Sequence, residues 1–120
     1  MIFNFFKKKA NGDQQPTPDF SEIDSQKKAM ELYSGKILSR IYLMPLEFGG
    51  TEAQINTLFV PEFVVVSKAR FDAMILDLLT KGKKLSYKAY PEYKGTSFIP
   101  SRIIIKVSGD ASLEETIAIW

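Results

Sequence analysis

The chain has 120 residues, of which 45% are apolar and 25% charged, a balance that fits one ordinary globular domain with one hydrophobic core. It contains neither cysteine nor histidine, which excludes disulfides, thiolate nucleophiles and zinc sites built from those residues. Any acid–base chemistry would fall to carboxylates, lysines or tyrosines, any metal would have to be a hard, oxygen-liking ion, and no cofactor is expected.

The net charge of +2 hides a division along the chain. Residues 81–106 carry seven cations (Lys81, Lys83, Lys84, Lys88, Lys94, Arg102, Lys106) against Glu92 alone, a balance of +6. Residues 10–67 carry eight acids against four bases, a balance of −4. Such segregation bears on partners rather than on fold.

Taken in chain order, MIFNFFKKK comes first. Its lysines follow its apolar residues and the apolar run is short, so it does not read as a signal peptide, and the cytoplasm is the expected compartment. A membrane-surface anchor, a contact with its own domain or another copy, and a disordered end remain its alternatives. The stretch ANGDQQPTPD that follows has almost nothing to bury, so residues 1–20 are expected to form a flexible N-terminal segment and residues 21–120 a single domain. A helix is predicted from about Ser21 to Ser34, with Ile23, Ala29, Met30 and Tyr33 as a weak apolar stripe and Gly35 as its stop. The segment from Ile37 to Met44 reads as a strand closed by Pro45, and that from Asn56 to Val60 as a second ended by Pro61.

The clearest periodic signal comes next. Phe71, Met74, Ile75, Leu78 and Leu79 fall at i, i+3, i+4, i+7 and i+8, one face of a helix ending at Lys81–Gly82. Three strands follow: one from Leu85 to Tyr90, one around Ile103, Ile105 and Val107, and a last one over ETIAIW, with PEYKGTSFIP as a connection and SGDAS as a turn. This order implies an α+β fold, a mostly antiparallel sheet of about five strands with two helices packed on one face. No stretch approaches the length of a transmembrane helix.

Three candidate sites emerge. In LEFGGTEAQINTLFVP the pair Gly49–Gly50 invites reading as a phosphate cradle, but Glu47 and Glu52 flank it and no base lies between Arg40 and Lys68. The glycines are better read as backbone devices in a connection between strands. Glu47 and Glu52 as a catalytic pair have no sugar-binding platform near them, and are expected to be solvated loop acids able to meet a basic partner. The third candidate is the basic hairpin. With Leu85, Tyr87, Ala89, Ile103, Ile105 and Val107 facing the helix, the opposite face shows Lys84, Lys88, Tyr90, Arg102 and Lys106, with Tyr93 and Phe98 in the connection. Such a face could hold an acidic protein surface, hold a nucleic acid, or simply keep an exposed sheet soluble.

The run from YLMPLEFGGTEAQINTLFVP through LLTKGKKLSYKAYPEYKGTSFIPSRIIIKVSG to ETIAIW resembles a small family of bacterial proteins similar to the immunity proteins that neutralise toxins used in competition between bacteria. The resemblance spans about Ile37 to Trp120 and rests on FGGT, N-x-L-x-V-P, PEYKG and P-S-x-I-x-I, none of which is a chemical signature. It implies stoichiometric binding and inhibition of a protein partner, a toxin, and no enzymatic activity. The expected contact residues are Lys84, Lys88, Tyr90, Tyr93, Arg102 and Lys106 of the hairpin with Glu47 and Glu52 of the acidic loop. The alternative is a nucleic-acid-binding protein using residues 81–106.

Overall fold

The computed structural model describes residues 6–8 and 16–120. The expectations for MIFNFFKKK and for the linker after it lie largely outside these residues. The part described is a short antiparallel pair, β1 (Phe6–Lys8) with β2 (Pro16–Pro18).

The fold is α+β, with two helices and antiparallel pairing throughout. Helix α1 (Gln26–Ser34) starts about five residues later than the predicted start near Ser21. Its N-cap is Ser25, whose hydroxyl accepts from the Lys28 amide at 3.2 Å, so Ile23 enters the core from the loop before the helix. Ala29 and Leu32 face inward, whereas Met30 is 41% exposed and does not belong to the stripe. At the helix end Gly35 keeps φ at −80°, and Lys36 takes the left-handed turn at 62°. The amide of Ile37 then closes back on the Leu32 carbonyl at 2.9 Å.

Strands β3 (Ser39–Tyr42) and β4 (Thr57–Val60) form a two-stranded sheet, with the glycine segment as their connection. Helix α2 (Glu62–Thr80) follows. Its inward face is Val64, Lys68, Phe71 and Ile75, with Leu78 and Leu79 partly covered. Met74 lies about 100° round the helix from Ile75 and is 46% exposed, so it leaves the predicted stripe and Lys68 joins it.

A second sheet of three strands, in the order β5 (Leu85–Tyr93), β6 (Pro100–Gly109), β7 (Leu113–Ala118), completes the fold. The five strands of the main body are therefore divided between two sheets rather than joined in one. Helix α2 contacts β7 and β3, α1 contacts β4, and one apolar cluster from Phe20 through Val60, Phe71 and Ile103 to Ile119 joins them. Isoleucines 103 and 105 with Val107 form its floor, as the alternation predicted.

Strand β5 runs three residues past Tyr90, straight through Pro91. The register explains why a proline is tolerated there. The Asp110 amide donates to the Lys84 carbonyl at 2.9 Å, and Leu85 stands opposite Gly109. Alternation then makes Ser86, Lys88 and Tyr90 the residues that exchange hydrogen bonds with β6. Leu85, Tyr87, Ala89 and Pro91 direct their backbone groups off the free edge. Pro91 thus sits where its missing N–H breaks no ladder bond. The pairing shifts register between Glu92 and Tyr93, where the Ser101 hydroxyl donates to the Glu92 carbonyl at 3.1 Å.

The final strand ends at Ala118, two residues short of the predicted Trp120. The amides of Ile119 and Trp120 nevertheless both reach the Ser101 carbonyl, and the indole donates to the Ile99 carbonyl at 3.1 Å. Trp120 is a rim aromatic, set edge-on to Phe20 with Lys94 over its face.

Candidate functional site

The glycine segment is a folded structure, fixed by Asn56. The Asn56 side chain accepts from the Met44 amide at 2.8 Å and donates to the Met44 carbonyl at 3.0 Å and the Thr51 carbonyl at 2.7 Å. Its own carbonyl accepts from Leu43 at 2.9 Å. One amide side chain thereby imitates a strand partner and pins both ends of the loop. Gly49 and Gly50 have different tasks within it. Gly49, at φ 98°, ends the short 3-10 turn Leu46–Phe48. Gly50 has no left-handed requirement, but a Cβ there would lie 1.9 Å from the Met44 carbonyl oxygen. Its amide donates to the Pro45 carbonyl at 3.0 Å, so it turns inward to close the loop.

This packing separates the predicted contact residues into three places. Lys88, Tyr90, Arg102 and Lys106 do share the outer face of the second sheet, and the Lys106 ammonium lies 5.9 Å from the centre of the Tyr90 ring. Lys84 stands at the start of β5, its amide donating to Asp110. Tyr93 is on the other face, in a hollow that also holds Glu52. Glu47 belongs to a third place, beside α2.

The outer face is also less basic than residues 81–106 suggested. Glu92 pairs with Arg102, and β7 brings Glu114 into register opposite Lys106. Lys88 faces Lys106 directly and has no carboxylate partner among the described residues. The central residue of the face, Ile104, is only 8% exposed.

The hollow containing Tyr93 has a volume of about 580 Å³ and lies between α1, the β3–β4 sheet and the end of β5. Met30, Leu43, Ile55, Phe59, Tyr93 and Phe98 give it an apolar lining, with Arg40, Glu52, Gln26 and Gln54 around it. Ile55 is 89% exposed, the most exposed large apolar side chain among the described residues. Phe98 (46%), Tyr93 (48%) and Met30 (41%) are well exposed too. Burial raises the Tyr93 phenol above its usual range, so it stays a neutral hydrogen-bond donor. A second hollow of about 490 Å³ adjoins it, sharing Leu43 and Ile55 and continuing along β5 from Tyr90 to Tyr87.

The third place is a buried polar network that the sequence reading missed. Lys68, 4% exposed, bonds Asp72 at 2.7 Å and the Tyr87 hydroxyl at 3.2 Å, while Tyr87 donates to Asp72 at 2.6 Å. Lys68 stands four residues after Val64 and three before Phe71, on the inward stripe of α2, and that spacing was the available signal. Burial first, then the hydrogen bond to Asp72 and the charges of Asp72 and Glu47, hold the Tyr87 phenol protonated far above the usual range. Phe48 of the 3-10 turn meets the Tyr87 ring at 5.5 Å and links this network to the glycine segment. With every member partnered, it is built for rigidity. Among the described residues no buried side-chain nitrogen or oxygen lacks a partner, no acidic cluster could hold a metal ion, and no helix is long and apolar enough to cross a membrane.

The fold and surface define a small α+β domain with a partly apolar hollow where the β3–β4 sheet meets the end of β5. Comparison with protein-family models, with curated proteins and with solved structures gave no match to this chain.

Proposed function

We propose that this chain is a non-catalytic protein-binding domain whose contact surface centres on Ile55 and the hollow beside it. The carrying observation is Ile55 itself, 89% exposed at the rim of a hollow lined by Met30, Tyr93 and Phe98. Apolar and aromatic anchors gathered round a concavity, with charged groups at the edge, have the anatomy of an interface centre and its polar rim. The resemblance noted above suggests the kind of partner: a toxin protein held stoichiometrically and neutralised, in the cytoplasm of a bacterial cell. Nucleic acid on the basic hairpin has less support, because Glu92 and Glu114 offset two of the outer face's three cations.

The test is affinity capture from the native cell with the unaltered protein and with Ile55→Asp and Phe98→Asp variants, followed by titration calorimetry with the captured protein. Fully burying an isoleucine contributes roughly 1.5–3 kcal/mol, so Ile55→Asp should weaken binding at least about tenfold. Equal affinity of both variants and the unaltered chain for that partner would refute the assignment.

A further inference from the structure

We infer that the partner reaches this surface by adding a strand to the free edge of β5, using an extended segment that alternates acidic and apolar residues. The inference rests on the protein-binding reading above and specifies how the contact is made. Three observations carry it.

The first is the backbone. Among the described residues strand β5 pairs with β6 alone. By the register already given, Leu85, Tyr87 and Ala89 send both N–H and C=O off the open edge, and Pro91 its C=O. These groups alternate in the pattern that an added strand needs. The second is the space beside that edge. The two hollows that meet at Leu43 and Ile55 follow β5 from Tyr87 to Tyr93, about 20 Å at strand rise, room for a segment of roughly seven residues.

The third is the chemistry of the two faces, which an added strand would extend. On the inner side its residues would meet Leu43, Ile55, Tyr93 and Phe98, and these call for apolar groups. On the outer side β5 presents Lys88, which stands opposite Lys106 with no carboxylate partner among the described residues, while Glu92 further along is taken up by Arg102. An acid beside Lys88 would complete a row of acid, Lys88, Lys106 and Glu114, in which each lysine neighbours a carboxylate. Like charges directly opposite one another are unfavourable, so the lone Lys88–Lys106 pair is relieved by that strand. The same pair disfavours edge-to-edge pairing of β5 with β5 of a second copy.

The experiment uses the full chain and blocked heptapeptides in which Glu and Val alternate. A peptide of the same composition with its four Glu and three Val in blocks, and an alternating Lys–Val peptide, are the controls. Affinity is read by fluorescence anisotropy, and the contact by amide exchange and amide chemical shifts in NMR. The alternating acidic peptide should bind at least tenfold tighter than either control and should newly protect the amides of Leu85, Tyr87 and Ala89. Lys88→Glu, at an exposed position, should lose at least tenfold while the fold is kept. Ala89→Pro removes one outward N–H without removing a bond to β6 and should lose as much.

No binding at millimolar peptide, equal affinity for the alternating and blocked peptides, or protection elsewhere would overturn the inference. So would full affinity in Lys88→Glu, which keeps the test decisive if Ala89→Pro does not fold. Sedimentation should show a monomer, and self-association abolished by Ala89→Pro would instead make a second copy the occupant. The captured partner separates strand addition from binding in the hollow. If Ile55→Asp abolishes its binding while Lys88→Glu and Ala89→Pro do not, strand addition falls and the hollow stands. If neither Ile55→Asp nor Phe98→Asp weakens its binding, the contact surface proposed around Ile55 falls whatever the peptides do.

Discussion

Replacing Asp72 by Leu should be among the most damaging single changes in this protein. Lys68 is 4% exposed, and its ammonium is held by the Asp72 carboxylate at 2.7 Å and the Tyr87 hydroxyl at 3.2 Å. Loss of the carboxylate leaves a buried cation with one neutral acceptor, and leaves the Tyr87 hydroxyl without its 2.6 Å acceptor. Breaking a buried pair from one side costs about 3–5 kcal/mol, a large share of the roughly 5–15 kcal/mol that holds a domain together. Lys68→Met should cost less, about 1–3 kcal/mol, because the Asp72 side chain keeps the Tyr87 donor and is 13% exposed beside an open hollow. The double variant removes both charges and should lie within about 1–2 kcal/mol of the unaltered protein. Urea unfolding of the four proteins gives the cycle, and the coupling between the sites should be about 2 kcal/mol or more. Additive single effects, or a cost below about 1 kcal/mol for Asp72→Leu, would show that the network does not hold the helix to the sheet as argued.

Three further outcomes follow from local geometry. Gly50→Ala should cost about 3 kcal/mol or more, because its Cβ would meet a backbone oxygen at 1.9 Å, whereas Gly49→Ala, with open space around it at φ 98°, should cost about 1–2 kcal/mol. Reversal of that order in chemical denaturation would contradict the loop's construction. Lys36→Gly should stabilise the protein by up to about 1 kcal/mol, since a non-glycine residue at φ 62° carries strain, and a lowered midpoint would count against it. The third concerns pH. The folded protein holds the Tyr87 proton more tightly than the unfolded chain does, so this stabilisation is complete below about pH 10 and is lost as pH rises further. Between about pH 10 and pH 11 the unaltered protein should lose about 1 kcal/mol more than Tyr87→Phe, and parallel stability curves would refute the assignment.

How far the sequence disclosed all this depended on whether a signal was local. Helix α2 is legible because Phe71, Ile75, Leu78 and Leu79 repeat at helical spacing, whereas Lys68 escapes notice because a charged residue does not register as part of an apolar stripe. In sequence Pro91 marks a strand end, and only the register with β6 shows that its nitrogen faces a free edge. The charge of the hairpin counts differently across the sheet than along the chain, because Glu114 stands opposite Lys106 across a ladder. The division into two sheets was equally hidden, since alternation marks strands and not their neighbours. Met30, Ile55, Tyr93 and Phe98 come from separate segments, and nothing in their spacing announces a common hollow.

The Trp120 end of the domain holds a contact between Ser97 and Phe20. The Ser97 hydroxyl donates to the Phe20 carbonyl, 77 residues away, at 2.7 Å, and the Phe98 amide meets the Ile23 carbonyl at the same distance. Its consequence is one of timing. Hairpins of neighbouring strands close short loops, but this clasp must gather most of the chain before it returns any enthalpy. It is therefore expected to close late, after the transition state, and to act as a latch on unfolding rather than a guide to folding. Ser97→Ala should speed unfolding while leaving the folding limb of a chevron plot in place, and a slowed folding limb would move the clasp into the nucleus. On this expectation the meeting of the two distant segments governs the lifetime of the native state more than the speed of reaching it.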